Sequence, residues 1–88
     1  MIERSCIEAS EETRIKEKIL MYIRKSDEGL TYDELRDLLE REGVYIDGVC
    51  LRKIISDMIR ERIIIKELSD KKRNKFVYKL TPYDLLYY

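Results

Sequence analysis

Histidine and glutamine are absent from this 88-residue chain, and asparagine occurs once, at Asn74. Without His there is no imidazole for acid–base work or for the commonest kind of metal ligand. The two cysteines, Cys6 and Cys50, are too few and too isolated for a zinc site, and there is no Cys-x-x-Cys or Gly-rich phosphate loop. Asp33 and Asp37 lie four apart, but on a charged helix that spacing is usually a solvated face. The expectation is therefore a protein with no catalytic residues, no metal, no cofactor and no small-molecule ligand. No run approaches the roughly 18 apolar residues of a membrane span. The opening MIERSCIEAS lacks the basic-then-apolar order of a secretory leader, which points to a cytoplasmic protein with no membrane partner. Scarce side-chain amides beside abundant Lys and Glu are a hyperthermophile tendency.

What is present is enough apolar residue, 44%, to fill one core, and a chain of this length seldom divides further. Leu51, Ile54, Ile55, Met58 and Ile59 recur at spacings of three and four, the period of one helix face. Arg52, Lys53, Ser56 and Arg60 fall mainly off that stripe. After Arg62 the pattern turns β-branched in Ile63, Ile64 and Ile65. Phe76, Val77 and Tyr78 return beyond the polar loop SDKKRN, so this stretch reads helix, strand, turn, strand.

Upstream, Ser10 is a good N-cap for EETRIKEKILMYIRK (Glu11 to Lys25), whose buried stripe is Ile15, Ile19, Tyr22 and Ile23, with Leu20 beside it. Gly29 can end it with positive φ. Leu30 is expected to pair briefly beside the hairpin. Thr31 and Glu34 form a T-x-x-E capping box for LTYDELRDLLEREG, with Leu35, Leu38 and Leu39 inward and Gly43 as its stop. Tyr45 or Ile46 should pack under the helices, and Asp47 should cap the next one. TPYDLLYY opens with a second helix-start signal in Thr81, Pro82 and Asp84. The chain divides into an arm (1–9), a folded domain (10–81) and an apolar tail (82–88).

Three helices, a short strand after the first and a terminal hairpin resemble the winged-helix family, the helix-turn-helix variant in which a β-hairpin wing follows the recognition helix. The match covers roughly residues 10 to 80 by order of elements, and resembles the small winged-helix proteins of thermophilic archaea and their viruses. It implies an α+β fold with a three-helix core and a C-terminal wing. Where the family often has Gly between recognition helix and wing, this chain has Arg62.

The formal net charge is zero, yet residues 1–46 hold 8 cations against 12 anions and residues 47–88 hold 10 against 6. A phosphate backbone meets one face and not an average, so the basic second half is the candidate surface. The resemblance implies that the third helix enters the major groove through Arg52, Lys53, Ser56 and Arg60, residue types that bond base edges or phosphates. The wing residues Lys71, Lys72, Arg73, Asn74 and Lys75 would hold the backbone, since clustered cations at a tip are expected to add nothing to packing. This is the profile of a double-stranded DNA-binding transcriptional regulator. The alternatives are a winged-helix protein–protein module, which suits the acidic first half, and RNA binding. A homodimer is expected through Leu85, Leu86, Tyr87 and Tyr88, with Ile2 and Ile7 of the arm. Cys50, in the first turn of its helix, reads as a small buried side chain or a reactive thiol, with a disulfide to Cys6 open within or between chains.

Overall fold

The computed structural model of the protein describes Cys6 and residues 8–82. Three helices, α1 (Ala9–Lys25), α2 (Tyr32–Arg41) and α3 (Gly48–Arg60), precede an antiparallel hairpin of β1 (Ile64–Ser69) and β2 (Lys75–Leu80). A short 3-10 turn, Asp70–Lys72, lies between the strands. The architecture is α+β, as the periodicity implies. The arm residues Ile2 and Ile7, the helix start at Asp84 and the apolar end Leu85 to Tyr88 lie outside the described residues.

The apolar stripes meet in one cluster. Ile15, Ile19, Tyr22 and Ile23 of α1 pack with Leu35 and Leu39 of α2, Leu51, Ile54, Ile55 and Met58 of α3, and Ile64 and Tyr78 of the hairpin. Each aliphatic side chain taken fully out of water contributes roughly 1.5–3 kcal/mol. Outside this core, the Tyr22 hydroxyl donates to Glu42, and Lys18 Nζ bonds the other carboxylate oxygen of Glu42 at 2.7 Å. These bonds fasten the end of α2 to α1.

Helix ends follow local chemistry, with one correction. Ser10 does not cap α1: the helix starts at Ala9, with Glu8 at the cap position in extended backbone and without a side-chain cap bond. The Glu8 carbonyl accepts the Glu12 N–H at 2.9 Å. Ala is the best helix former, and nothing between Glu8 and Ser10 breaks the ladder, so the helix continues past the serine. The box at α2 is formed: Glu34 N–H donates to Thr31 Oγ1 at 3.2 Å, and Thr31 N–H donates to Glu34 Oε1 at 2.9 Å. At its other end Gly43 is left-handed (φ 81). There Val44 N–H reaches the Leu39 carbonyl at 2.9 Å and Gly43 N–H that of Glu40 at 3.0 Å, a Schellman ending.

Of the turn residues, Ile46 packs against the core, whereas Tyr45 is 78% exposed. The Asp47 carboxylate then accepts the Val49 N–H at 2.7 Å and starts α3. That helix ends in a second Schellman motif, with Ile63 N–H on the Met58 carbonyl and Arg62 N–H on that of Ile59, both at 3.0 Å. Here the left-handed residue is Arg62 (φ 62), in the place a glycine would fill without strain. The turn is therefore tight without Gly, at a conformational cost of roughly 1–2 kcal/mol.

The loop after α1 closes onto the hairpin. Leu30 and Tyr78 exchange two backbone bonds, 3.1 and 2.7 Å long. A Cβ on Gly29 would meet Val77 Cγ2 and Lys79 Cγ at 2.9 Å, so only glycine lets this loop approach β2. The expectation of a brief pairing at Leu30 corresponds to this single bridge. Finally, Cys6 and Cys50 form a disulfide within the chain, with Cα atoms 5.6 Å apart. Cys50 is thus neither a free thiol nor a simple core filler; the bond ties the segment before α1 to the first turn of α3.

Candidate nucleic-acid interface

Helix α3 buries one side and offers the other. At ~100° per residue, Val49, Ser56 and Arg60 stack along one line with Arg52 and Lys53 on its flanks, and Met58 faces the opposite way. All five are exposed, while Leu51, Ile54, Ile55 and Met58 are buried. The four polar residues singled out in sequence therefore share a single surface. Both acids of the helix end are engaged: Asp57 pairs with Arg60 at 3.3 Å and Glu61 with Lys16 of α1 at 3.6 Å. Among the described residues, none pairs with Lys53. The Arg52 guanidinium lies 4.0 Å from the centre of the Tyr32 ring, and Tyr32, whose hydroxyl donates to the Gly48 carbonyl, links the starts of α2 and α3. Behind them, burial pushes the Tyr78 phenol up, opposed by the charge of Arg52.

The hairpin tip is arranged differently. Arg73 (φ 56) and Asn74 (φ 60) are both left-handed, and the Asn74 N–H closes the turn on the Ser69 carbonyl at 2.9 Å. Two of the tip cations fold back. Lys72 Nζ binds Glu34 Oε2 at 2.8 Å, and Lys71 lies 3.4 Å from Glu28. The expectation that the tip adds nothing to packing fails for these two lysines, because the loop after α1 and the first turn of α2 present carboxylates to them. Burial pushes the Glu34 carboxyl up, but the bonds from Lys72 and Thr31 outweigh that and hold it below its ordinary value. The bond to Glu34 raises Lys72 in turn. Arg73, Asn74 and Lys75 are exposed and, among the described residues, make no ion pair.

A cleft of about 360 Å³ separates Thr31, Asp33 and Glu34 on one wall from Lys71, Lys72, Arg73 and Lys75 on the other. Tyr32 touches Arg52 and its neighbour Thr31 lines this cleft, so the start of α2 bridges the α3 face and the tip. Asp33 and Glu34 set two carboxylates within that bridge.

Of the exposed apolar residues, Val49 and Leu68 had no part in the sequence reading, and Tyr45 and Phe76 had none as surface residues. Val49 is 76% exposed at the head of the α3 line, and Tyr45 precedes it. Leu68 and Phe76, each 54% exposed, are cross-strand partners, with Lys66 Nζ 4.6 Å from the Phe76 ring centre. Val49 was legible from its spacing of three, four and seven to Arg52, Lys53 and Ser56. The Glu34–Lys72 pair had no sequence signal, because 38 positions separate its members.

No group of His, Cys, Asp and Glu able to hold a metal occurs among the described residues, and none of their helices is long and apolar enough to cross a membrane. No family model, curated protein or solved structure matches this chain.

Proposed function

We propose that this chain is a winged-helix domain that binds double-stranded DNA as a transcriptional regulator, with α3 in the major groove and the hairpin as a wing on the flanking backbone. The observation that carries the reading is the outward face of α3. It brings Arg52, Lys53, Ser56 and Arg60 together, with Glu61 paired to Lys16 of α1 and Asp57 paired to Arg60 itself. A rigid helix bearing guanidinium and hydroxyl groups can bond base edges, and Arg73 and Lys75 at the tip can approach phosphates without orienting to bases. In the same reading the protein is a homodimer through Leu85 to Tyr88, so that two α3 helices reach half-sites about one DNA turn apart.

A second reading, a protein–protein module, draws support from the exposed Leu68 and Phe76 pair and from the lysines already held by Glu28 and Glu34. Retention on heparin followed by gel shift on random duplex across a salt series separates the two. DNA binding predicts a shift at low salt that weakens steeply as salt rises. Absence of a shift at low salt ends the DNA reading.

A further inference from the structure

Resting on the DNA-binding reading, we infer that Val49 is a specificity-determining residue that packs against the 5-methyl group of a thymine in the major groove. Valine at this position does nothing for the fold. It is 76% exposed, it lies opposite the buried stripe, and it is a poorer helix former than alanine or most polar residues. Its surroundings are polar: Arg52 and Lys53 lie one turn along and Ser56 two turns along the same face, and the Asp47 carboxylate caps the helix just before it. An apolar side chain one turn from two exposed cations matches a polyanionic partner that also presents an isolated apolar group. The thymine methyl is the one such group on the major-groove edges of the bases.

Position and stiffness agree with this role. Val49 stands in the first turn of α3, and the leading residues of a helix set into the groove are those that reach base edges. Its own N–H is held by Asp47 Oδ1 at 2.7 Å, and the next residue, Cys50, is bonded to Cys6. The backbone beneath the side chain is thus restrained from both sides. A β-branched side chain in a helix has one strongly preferred χ1, so its two methyls point in a set direction. The site should therefore contain an A·T pair beside the pair that Arg52 contacts.

The test uses the full, oxidised chain and a duplex enriched from a random-sequence pool, with uracil replacing thymine one position at a time. Wild type is expected to lose about fourfold in affinity at one position, the worth of a buried methyl. Val49→Ala should bind the thymine and uracil forms of that position equally, with a thermal melt matching wild type. If Val49→Ala discriminates thymine from uracil as wild type does, or if no position shows discrimination, the inference is overturned while DNA binding stands. If the pool yields no binding at all, the DNA reading falls with it.

Discussion

The α3 face and the hairpin tip are both rich in cations, yet they hold them in different ways. On α3 Glu61 is taken by Lys16 of α1 and Asp57 by Arg60, Lys53 has no ion pair among the described residues, the first turn is capped by Asp47, and a disulfide ties that turn to the segment before α1. At the tip, Lys71 and Lys72 spend their charge on Glu28 and Glu34, and only Arg73 and Lys75 remain unpaired among the described residues. A count of cations therefore overstates what the tip can offer a phosphate. On the α3 face only Arg60 shares its charge with an acid among the described residues, and the helix that carries it is tied down at its first turn.

The largest expected effect tests the restraint on α3. The disulfide spans a sequence separation of 44. By the chain-entropy relation a loop of that size is worth about 4 kcal/mol through the unfolded state. Cys50→Ser should lower stability by up to that amount in urea denaturation, with the midpoint shifted to lower denaturant. A loss below about 1 kcal/mol would show that the bond does not restrain the chain, and the contrast between a pinned helix and a free tip would disappear.

Next in size is the division of labour in binding. Arg52→Ala should cost about 1–3 kcal/mol, mainly on the preferred sequence. Changing Arg73 and Lys75 to Ala should weaken preferred and random duplexes alike and flatten the log-log salt slope by about 0.9 for each phosphate no longer neutralised. Lys72→Ala should flatten it less, because Lys72 must first release Glu34. Anisotropy titrations over a salt series read all three. Equal slopes for Lys72 and Lys75 variants would mean that the tip exchanges its acids for phosphates, which erases the distinction drawn above.

The joint between the two regions supplies a smaller effect. Arg62 is left-handed, and Gly is free of that strain. Arg62→Gly should stabilise the protein by about 1 kcal/mol, measured by thermal or urea unfolding. Destabilisation would mean that the Arg62 side chain holds the helix–hairpin joint through interactions that outweigh its backbone cost.

The smallest effect isolates the tip from pH. Glu34 is held below its ordinary 4.5 and Lys72 above its ordinary 10.5. The carboxylate's share of stability is present above pH 4.5 and lost as pH falls through its folded value. The lysine's share is present below pH 10.5 and lost as pH rises through its folded value. Lys72→Met should therefore be slightly less stable than wild type at neutral pH, and the gap should close in acid. A gap that stays constant in melts down to about pH 3 would assign the difference to packing of the lysine stem instead of to charge.

By itself the sequence determined the elements and several of their ends. Period-three-and-four stripes marked the three helices, the box at Thr31 and Glu34 and the cap at Asp47 marked two starts, and Gly43 marked a stop, because these signals act within one turn of backbone. Where a local signal had a competitor it misled: Ser10 could cap only if the helix stopped there, and Ala9 lets it run on. Tertiary structure alone decided what lay far apart in the chain. It joined Cys6 to Cys50, drew Lys71 and Lys72 onto acids of the acidic half, chose Ile46 over Tyr45 for the core, and forced Arg62 into a left-handed turn. Each of those depends on two surfaces meeting in space, and a pattern read along one strand of chain holds no information about which surface will arrive.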